Sequence, residues 1–499
     1  MRYLFFILFA FIAGSISNFA QSPWNNIVVL LISFPILFLI FQDISSKKEY
    51  KNKTLFFILF GNIFLFGYFF FGLLWIGSAF DYREGFGNLK FISTLGLPAL
   101  LCLITTPGWI ITSFFWGNRI QSCFALSLGI VFGEYVRSYL FTGFPWNLFG
   151  HALGFNDYAM QIGSIFGFNF AGIFILLFSL TPVIILKKET LKWGIIFSLI
   201  IPFSLIYGYL RIPSEIKFLD KDFIIIQPNI SQDKKLNPDE TENLIKKFLD
   251  LSKIDLNVDL IIWPENAIPV FLSSSEEIRS LIMKELSNTK NLLTGDLILK
   301  NNNEISNSAI LINSDGKISS SYDKIHLVPF GEYLPFNEHI KKYEFIRILT
   351  NERGLSKGKS YDPISTPLGL ARILICYEII FSNEVLRSKY EPDIIINISN
   401  DAWFNNYTGP NQHFSNAKFR SVETGLPVLR SSNTGISGVI DPYGRVVEKL
   451  SMGEEGFIYS RQPEKLPKTI FVIFGNYIIL ALLLLCILCY RKNYKKGIL

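Results

Sequence analysis

Charge is scarce in this chain: 18% of its 499 residues are Asp, Glu, Lys or Arg, against about a quarter in an ordinary soluble domain. Histidine is scarcer still, with four in the whole chain: His151, His326, His339 and His413. No set of His, Cys and acidic residues has the spacing of metal ligands. No glycine-rich phosphate loop is present, which argues against nucleotide-dependent chemistry. The mixed stretch 213–465 has no internal repeat or low-complexity tract. The five cysteines cannot build a disulfide framework in a water-facing domain, because Cys102, Cys123, Cys486 and Cys489 all fall in long apolar runs. Cys376 is the remaining one.

Apolar residues are abundant instead. They make up 50% of the chain, with 48 phenylalanines and a mean hydropathy of +0.34. Residues 1–212 consist mostly of apolar runs, 213–465 read as an ordinary mixed domain, and 466–499 return to an apolar run with a basic tail. Crossing a bilayer takes roughly 20 apolar residues. The expectation is a polytopic helical membrane domain with eight spans, near 3–20, 25–42, 54–80, 91–117, 121–142, 168–186, 193–212 and 469–490. The first resembles a signal peptide, but another apolar run follows at once, so it reads as a retained helix.

Positive charge gathers in alternate loops: Arg2; Lys47, Lys48, Lys51 and Lys53; Arg119; Lys187, Lys188 and Lys192; Arg491, Lys492, Lys495 and Lys496. The positive-inside rule puts these loops and both termini in the cytoplasm and the 213–465 domain on the opposite face. The net charge of +6 is largely this topology signal rather than a nucleic-acid footprint. Glu134 and Arg137 lie inside the fifth span, three residues apart on a helix. They read as a structural pair or a headgroup contact in preference to a transport site.

The 213–465 domain alternates continuous apolar strands (222–228, 259–264, 292–299, 308–313, 372–376, 393–399) with amphipathic helices near 238–252 and 275–288. Unbroken Ile/Leu runs are typical of strands covered on both faces. Asn237 and Pro238 mark a helix start. Asp315-Gly316 and Asp441-Pro442-Tyr443-Gly444 mark turns.

Three segments end apolar strands with reactive residues: WPEN (263–266), YDKIHLVPFGEYLP (322–335) and ICYE (375–378). Read singly, Cys376 is a packed core cysteine, Glu265 a solvent-facing or capping acid, and Lys324 a surface lysine. Read together they form a thiol nucleophile with its two helpers. A neutral thiol needs a base, which Glu265 supplies, and a cation, which Lys324 supplies for the thiolate and for charge developing on a carbonyl oxygen. His326 and His413 read as structural histidines, and His151 takes no role.

WPEN, DKIHLVPFGEYLPF, ICYEIIF and ISNDAWF resemble, in order and spacing, the four signature segments of the carbon–nitrogen hydrolase (nitrilase) superfamily. GEYVRSYLFTGFPWNLFGH (133–151) and GPNQHFSNAKFRSVETGLPVLRSSNTGISGVIDPYGRV (409–446) are similar to segments of the bacterial apolipoprotein N-acyltransferase family. The resemblance runs over essentially the whole chain. It implies a nitrilase-like αββα sandwich inserted between spans seven and eight of a multi-pass inner-membrane protein, with that domain in the periplasm. It implies Cys376 as nucleophile, Glu265 as base and Lys324 as oxyanion cation. Glu332, Tyr377 and Glu378 would support them, Glu378 by orienting neighbouring backbone or the incoming amine. Phe336, Trp403 and Phe404 would line the substrate entrance. The implied reaction moves an acyl chain from a phospholipid to Cys376, then to the α-amino group of an S-diacylglyceryl cysteine at a lipoprotein N-terminus. No cofactor and no nucleic acid are implied, and the protein is expected to be monomeric. The chain departs from the family pattern at Asn266, where Thr is common, and at Leu236, where an aromatic residue is expected. A membrane-anchored amidase acting on a small amide with the same three residues is the alternative within this chemistry. A transporter with an accessory domain is the alternative outside it.

Overall fold

The structure is a computed structural model and describes residues 2–81, 87–300, 304–333, 335, 354–385, 387–404, 408–475 and 477. Two compact units are present: residues 1–77, 88–213 and 468–499 form the first, and 78–87 with 214–467 the second. The division departs from the expected 1–212, 213–465 and 466–499 boundaries at one internal place, since Ser78–Gly87 groups with the second unit.

The first unit is helical: α1 (Arg2–Ser17), α2 (Leu30–Ser46), α3 (Lys53–Gly72), α4 (Gly87–Phe114), α5 (Arg119–Tyr139), α6 (Gly163–Ser179), α7 (Thr181–Ile185), α8 (Leu191–Ser198) and α9 (Ile200–Arg211). Six helical stretches among the described residues are long and apolar enough to cross a membrane: Arg2–Ala20, Ile27–Ser46, Lys53–Gly72, Lys90–Phe114, Ala159–Ser179 and Lys188–Arg211. The expected eight therefore resolve differently. The fifth, α5, has 21 residues, but Gln121, Ser122, Glu134, Arg137 and Ser138 make it less apolar than those six. The eighth, 469–490, falls mostly outside the described residues. The third stops at Gly72 instead of 80, and Leu74–Phe80 form a 3-10 helix.

Small residues set the packing of this unit. A Cβ on Gly14 would lie 1.8 Å from the Phe64 carbonyl oxygen, so α1 and α3 touch backbone to backbone. The α5 charges are absorbed locally. Arg137 Nη1 donates to the carbonyl oxygens of Phe144 (2.6 Å) and Trp146 (2.7 Å). Glu134 Oε1 accepts the Phe149 N–H at 2.8 Å. The pair thus ties the FPWNLF loop to its helix.

The second unit is a two-sheet sandwich. Its strands are β1 (Phe218–Gln227), β2 (Leu260–Ile262), β3 (Asn291–Leu299), β4 (Ile305–Asn313), β5 (Ile318–Asp323), β6 (Ile364–Thr366), β7 (Gly369–Ile375), β8 (Ile394–Ser399), β9 (Val428–Ser432), β10 (Ser437–Ile440), β11 (Val446–Leu450) and β12 (Gly456–Pro463). They form two six-stranded sheets, ordered β12-β1-β2-β3-β4-β5 and β11-β10-β9-β8-β7-β6. Parallel pairing joins β1, β2 and β3 in one sheet and β7, β8 and β9 in the other.

The continuous apolar runs have a plain cause. Phe223 and Ile225 of β1 face the second sheet, packing in a core with Ile373, Ile375, Ile396 and Ile398. Ile224 and Ile226 face the opposite way and pack with Leu244, Phe248, Ile282 and Met283. Those four belong to α11 (Thr241–Ser252) and α12 (Glu276–Glu285). Each fully buried Ile or Leu is worth roughly 1.5–3 kcal/mol relative to exposure. The short helices α10 (Gln232–Leu236) and α13 (Ser382–Val385) complete the first sheet's loops and the second sheet's, and α14 (Gly409–Thr424) lies along β9 and β10. A last short helix, α15 (Ile470–Phe474), belongs to the first unit, where Phe471 fills the space beside Gly167.

The helix expected from 238 begins at Thr241, and Asn237 instead accepts the Asp239 N–H at 3.1 Å in the 3-10 turn before it. The strands that sequence reading passed over, among them β9, β11 and β12, carry Arg, Ser, Glu or Lys between their apolar residues and so show no continuous run.

Candidate active site

Parallel strands of both sheets deliver their ends to one buried cluster. β2 stops at Ile262, and Trp263-Pro264-Glu265 turn away from it. Asn266 then takes φ +45°. A side chain on Gly295 would meet Asn266 N at 2.4 Å and Glu265 Cα at 2.6 Å, so only glycine allows the Glu265 turn to press on β3. β7 stops at Ile375, and Cys376 follows at φ +51° before a 3-10 helix over Cys376–Ile380. A left-handed cysteine between strand and helix is a strained position that aims its side chain out of the turn.

Glu265, Lys324 and Glu332 meet as one charged group. Lys324 Nζ lies 2.8 Å from Glu332 Oε1 and 3.4 Å from Glu265 Oε1. Asn307 Nδ2 bridges the same two carboxylates, at 2.7 Å to Glu265 and 3.0 Å to Glu332. Their remaining oxygens take backbone donors: Asn400 N–H to Glu265 Oε2 (2.9 Å) and Val328 N–H to Glu332 Oε2 (2.8 Å). Burial alone would push the Lys324 ammonium down, but Glu332 and Glu265 outweigh it and hold its pKa well above the lysine range. The cation is therefore permanent. The Cys376 thiol is held up, first by burial, then by the Glu265 charge, against the pull of Lys324. At rest the sulfur keeps its proton. Glu265 is the carboxylate whose charge acts most strongly on the sulfur.

Glu378 does not reach for that proton. Its Oε1 accepts from Tyr322 OH (2.9 Å) and from the backbone N–H groups of Ile325 (2.8 Å) and His326 (3.0 Å), and its Oε2 from Ile375 N–H (2.8 Å). One carboxylate thus joins the residue before Cys376 to the two after Lys324. Burial raises its pKa, against the Arg372 guanidinium and those backbone donors. Tyr377 packs its ring against Phe381 at 5.0 Å and His326 at 5.7 Å. Phe404 meets the His413 ring edge-on at 5.6 Å, and the Trp403 carbonyl accepts the Ser78 hydroxyl at 3.2 Å. Phe336 lies outside the described residues.

Beneath Cys376 sits a second buried network that sequence reading did not assemble. His413 lies with Nε2 3.0 Å from the Cys376 carbonyl oxygen and Nδ1 3.0 Å from Asp401. Arg430 Nη2 donates to Asp401 at 2.7 Å. Asp401 stays ionised despite burial, held low by Arg430 and His413. Asn307 and Asn400 were missed as well. Asn400 stands inside the ISNDAWF segment, which was a usable signal, whereas Asn307 within SNSAILI carries none. Among the described residues, no group of three or more His, Cys, Asp or Glu is placed to hold a metal ion.

Residues 13–181 match the family described as apolipoprotein N-acyltransferase N-terminal domain, and residues 225–464 match carbon-nitrogen hydrolase. The chain is 33% identical to the apolipoprotein N-acyltransferase of Rhodopseudomonas palustris, covering 97% of this chain and 95% of that protein. It is 34% identical to that of Bradyrhizobium diazoefficiens, over 94% and 91%. Among solved structures it is similar to Saccharomyces cerevisiae Nit3, of branch 10 of the nitrilase superfamily, at 22% identity and a TM-score of 0.36 over 51% of this chain and 93% of that one.

Proposed function

The chain belongs to the apolipoprotein N-acyltransferase family, and from that membership we propose how its residues carry the acyl transfer. Lipoprotein N-acylation is its activity, and it is a bacterial membrane protein with a carbon–nitrogen hydrolase domain. The donor is a membrane phospholipid, and the acceptor is the α-amino group of an S-diacylglyceryl cysteine.

In the first half-reaction the Cys376 sulfur attacks an ester carbonyl of the phospholipid while its proton passes to Glu265. Lys324 stabilises the oxyanion, the carbon–oxygen bond to glycerol breaks, and the protonated Glu265 returns its proton to the leaving alkoxide. Lysophospholipid departs and a thioester remains on Cys376. In the second half-reaction the acceptor amine attacks that thioester and gives up a proton to Glu265. The carbon–sulfur bond breaks, and the thiolate is reprotonated. Glu332 keeps Lys324 in place, and Glu378 keeps the Lys324 loop and the end of β7 in register. Trp403 and Phe404 stand toward the substrate entrance. The loop charges support a cytoplasmic location for both termini and an extracytoplasmic one for the 214–467 unit. The protein acts as a monomer, since one chain supplies every group the reaction uses.

The observation that carries this reading is the buried Cys376 at the end of β7, in the cluster where Lys324 pairs with Glu265 and Glu332. Intact-protein mass spectrometry after incubation with phospholipid and no acceptor tests it. A gain of one acyl chain, lost on hydroxylamine treatment and absent in Cys376→Ala, is expected. A folded wild-type protein that gains no acyl chain overturns the phospholipid-donor reading, and hydrolysis of a small amide by the same protein would put an amidase in its place.

A further inference from the structure

The buried acids around Cys376 have counter-charges that do not add up without one more cation. Asp401 is paired with Arg430 at 2.7 Å. Glu378 has the Arg372 guanidinium as its strongest favourable charge. Glu265 and Glu332 share Lys324 alone among the three residues assigned to the chemistry. One buried carboxylate, Glu265, and one half-buried, Glu332, on a single ammonium leave a net negative charge beside a sulfur that must itself become negative, which is unfavourable on both counts.

Lys235 supplies the missing charge. It sits on α10, is 7% exposed, and its Nζ donates to the main-chain carbonyl of Glu265 at 3.0 Å. The same helix is anchored a turn earlier: Gln232 Oε1 accepts from the Asn400 side chain at 3.1 Å, and the Asn400 N–H holds the Glu265 carboxylate. Asn400 Oδ1 in turn accepts from Asn433 at 3.0 Å. Helix α10 thus grips the Glu265 turn through its main chain and through the residue that binds its carboxylate.

We propose that Lys235 is a positioning residue of the acyl-transfer site, fixing Glu265 through its carbonyl and serving as the second cation that lets Cys376 lose its proton. This rests on Cys376 being the nucleophile of the proposed reaction. With Lys235 charged, Glu265, Glu332, Lys324 and Lys235 sum to zero, and transfer of the thiol proton to Glu265 leaves the thiolate between two cations. With Lys235 neutral, the same transfer places a thiolate in a cluster already one negative charge in excess.

The proposal makes the reaction sensitive to alkaline pH. Burial pushes the Lys235 ammonium down to about 8, against the pull of Glu265 and Cys376. Those two face it, and Lys324 and Glu332 stand behind Glu265 in the same cluster. On its own helix Asp233 and Lys234 are exposed, as is Asp239 in the next turn, and Glu240 there is half-buried. Asp401, beside Asn400, is occupied by Arg430 and His413.

The test uses the full-length protein in detergent or nanodiscs, comparing wild type, Lys235→Met and Lys235→Arg. Two rates are read between pH 6 and 10: acylation of Cys376 by phosphatidylethanolamine vesicles, and alkylation of Cys376 by iodoacetamide. Removal of one nearby favourable charge shifts a thiol by about one unit or more, so Lys235→Met is expected to acylate about tenfold or more slowly at pH 7. Wild type should lose acylation rate as the pH rises through 8, Lys235→Met should lack that decline, and Lys235→Arg should recover the rate and keep it above pH 8. An unchanged rate and pH profile in Lys235→Met overturns the proposal. So does an alkaline decline that persists in Lys235→Arg, because a permanent cation cannot produce it. The iodoacetamide arm separates this from the donor reading. If wild type is never acylated but Lys235→Met still alkylates more slowly than wild type at pH 7, the donor assignment fails and Lys235 stands. If acylation is normal and the variants match wild type in both assays, Lys235 fails and the donor assignment stands.

Discussion

The Nε2 atom of His413 lies 3.0 Å from the carbonyl oxygen of Cys376, so this histidine holds the backbone of Cys376. Burial and the Arg430 charge lower its pKa, despite Asp401. The folded chain therefore refuses a proton that unfolded His413 accepts near pH 6.5. That contribution to stability is complete above pH 6.5 and is lost as the pH falls toward the depressed folded value. Thermal melts should show a lower melting temperature at pH 5 than at pH 8, and a smaller difference in His413→Gln. Thioester formation in the variant should fall less than it does for Glu265→Gln, since His413 carries no proton in the reaction.

Glu265→Gln keeps the shape of the site but cannot take the thiol proton. Loss of a general base costs roughly 10²–10⁴ in rate. Time-resolved mass spectrometry of the acyl adduct should show that deficit, with the folded fraction unchanged by circular dichroism. Acylation within threefold of wild type would remove Glu265 from the role of base.

Glu378→Gln tests whether the acid beside the nucleophile is a proton carrier or a backbone clamp. Its carboxylate accepts four hydrogen bonds, and an amide would turn a donor toward groups that also donate. Each buried donor left unpaired costs about 1–3 kcal/mol. A lower melting temperature together with reduced acylation is the expected result. Lost acylation at an unchanged melting temperature would mean that Glu378 acts in the chemistry directly.

Gly14→Val addresses the helical unit. Even the first carbon of a side chain there would lie 1.8 Å from the Phe64 carbonyl oxygen, so α1 must move off α3. Overpacking of this kind costs typically about 1–3 kcal/mol. The variant should melt earlier in detergent, while Gly96→Ala, where the added carbon meets nothing closer than Ile92 at 3.8 Å, should show no packing penalty.

Some of this architecture was legible because its cause is local. A run such as DIIINIS carries isoleucine at 394, 395, 396 and 398, on both faces of β8, since both faces are covered, and such a run can be read without knowing what covers it. Asp315-Gly316 and Asp441-Gly444 were legible for the same reason: Gly316 and Gly444 adopt φ +77° and +79°, which glycine takes without strain. The half-buried strands β11 and β12 were not, because polar residues such as Glu448 and Lys449 in β11 and Ser460, Arg461 and Gln462 in β12 match a loop as well as an edge. Glu265, Lys324 and Cys376 stood out as reactive types at strand ends, and the charged pair in α5 stood out against an apolar background.

Chain order by itself determined the division into an apolar helical part and a mixed α/β part, along with the reactive residues that close the strands, since hydropathy and strand punctuation are properties of neighbouring residues. Only the tertiary structure decided which buried charge answers which. Lys235, in the polar stretch QDKKL, reads as a surface lysine until α10 folds against the Glu265 turn, 30 residues away. Asn307 reads as one more polar residue on a strand until it bridges two carboxylates. His413 reads as a structural histidine in the sequence, but only the fold shows that the group it holds is the Cys376 carbonyl oxygen. A buried charge is set by distances between segments far apart in sequence, and those distances exist only once the two sheets have packed.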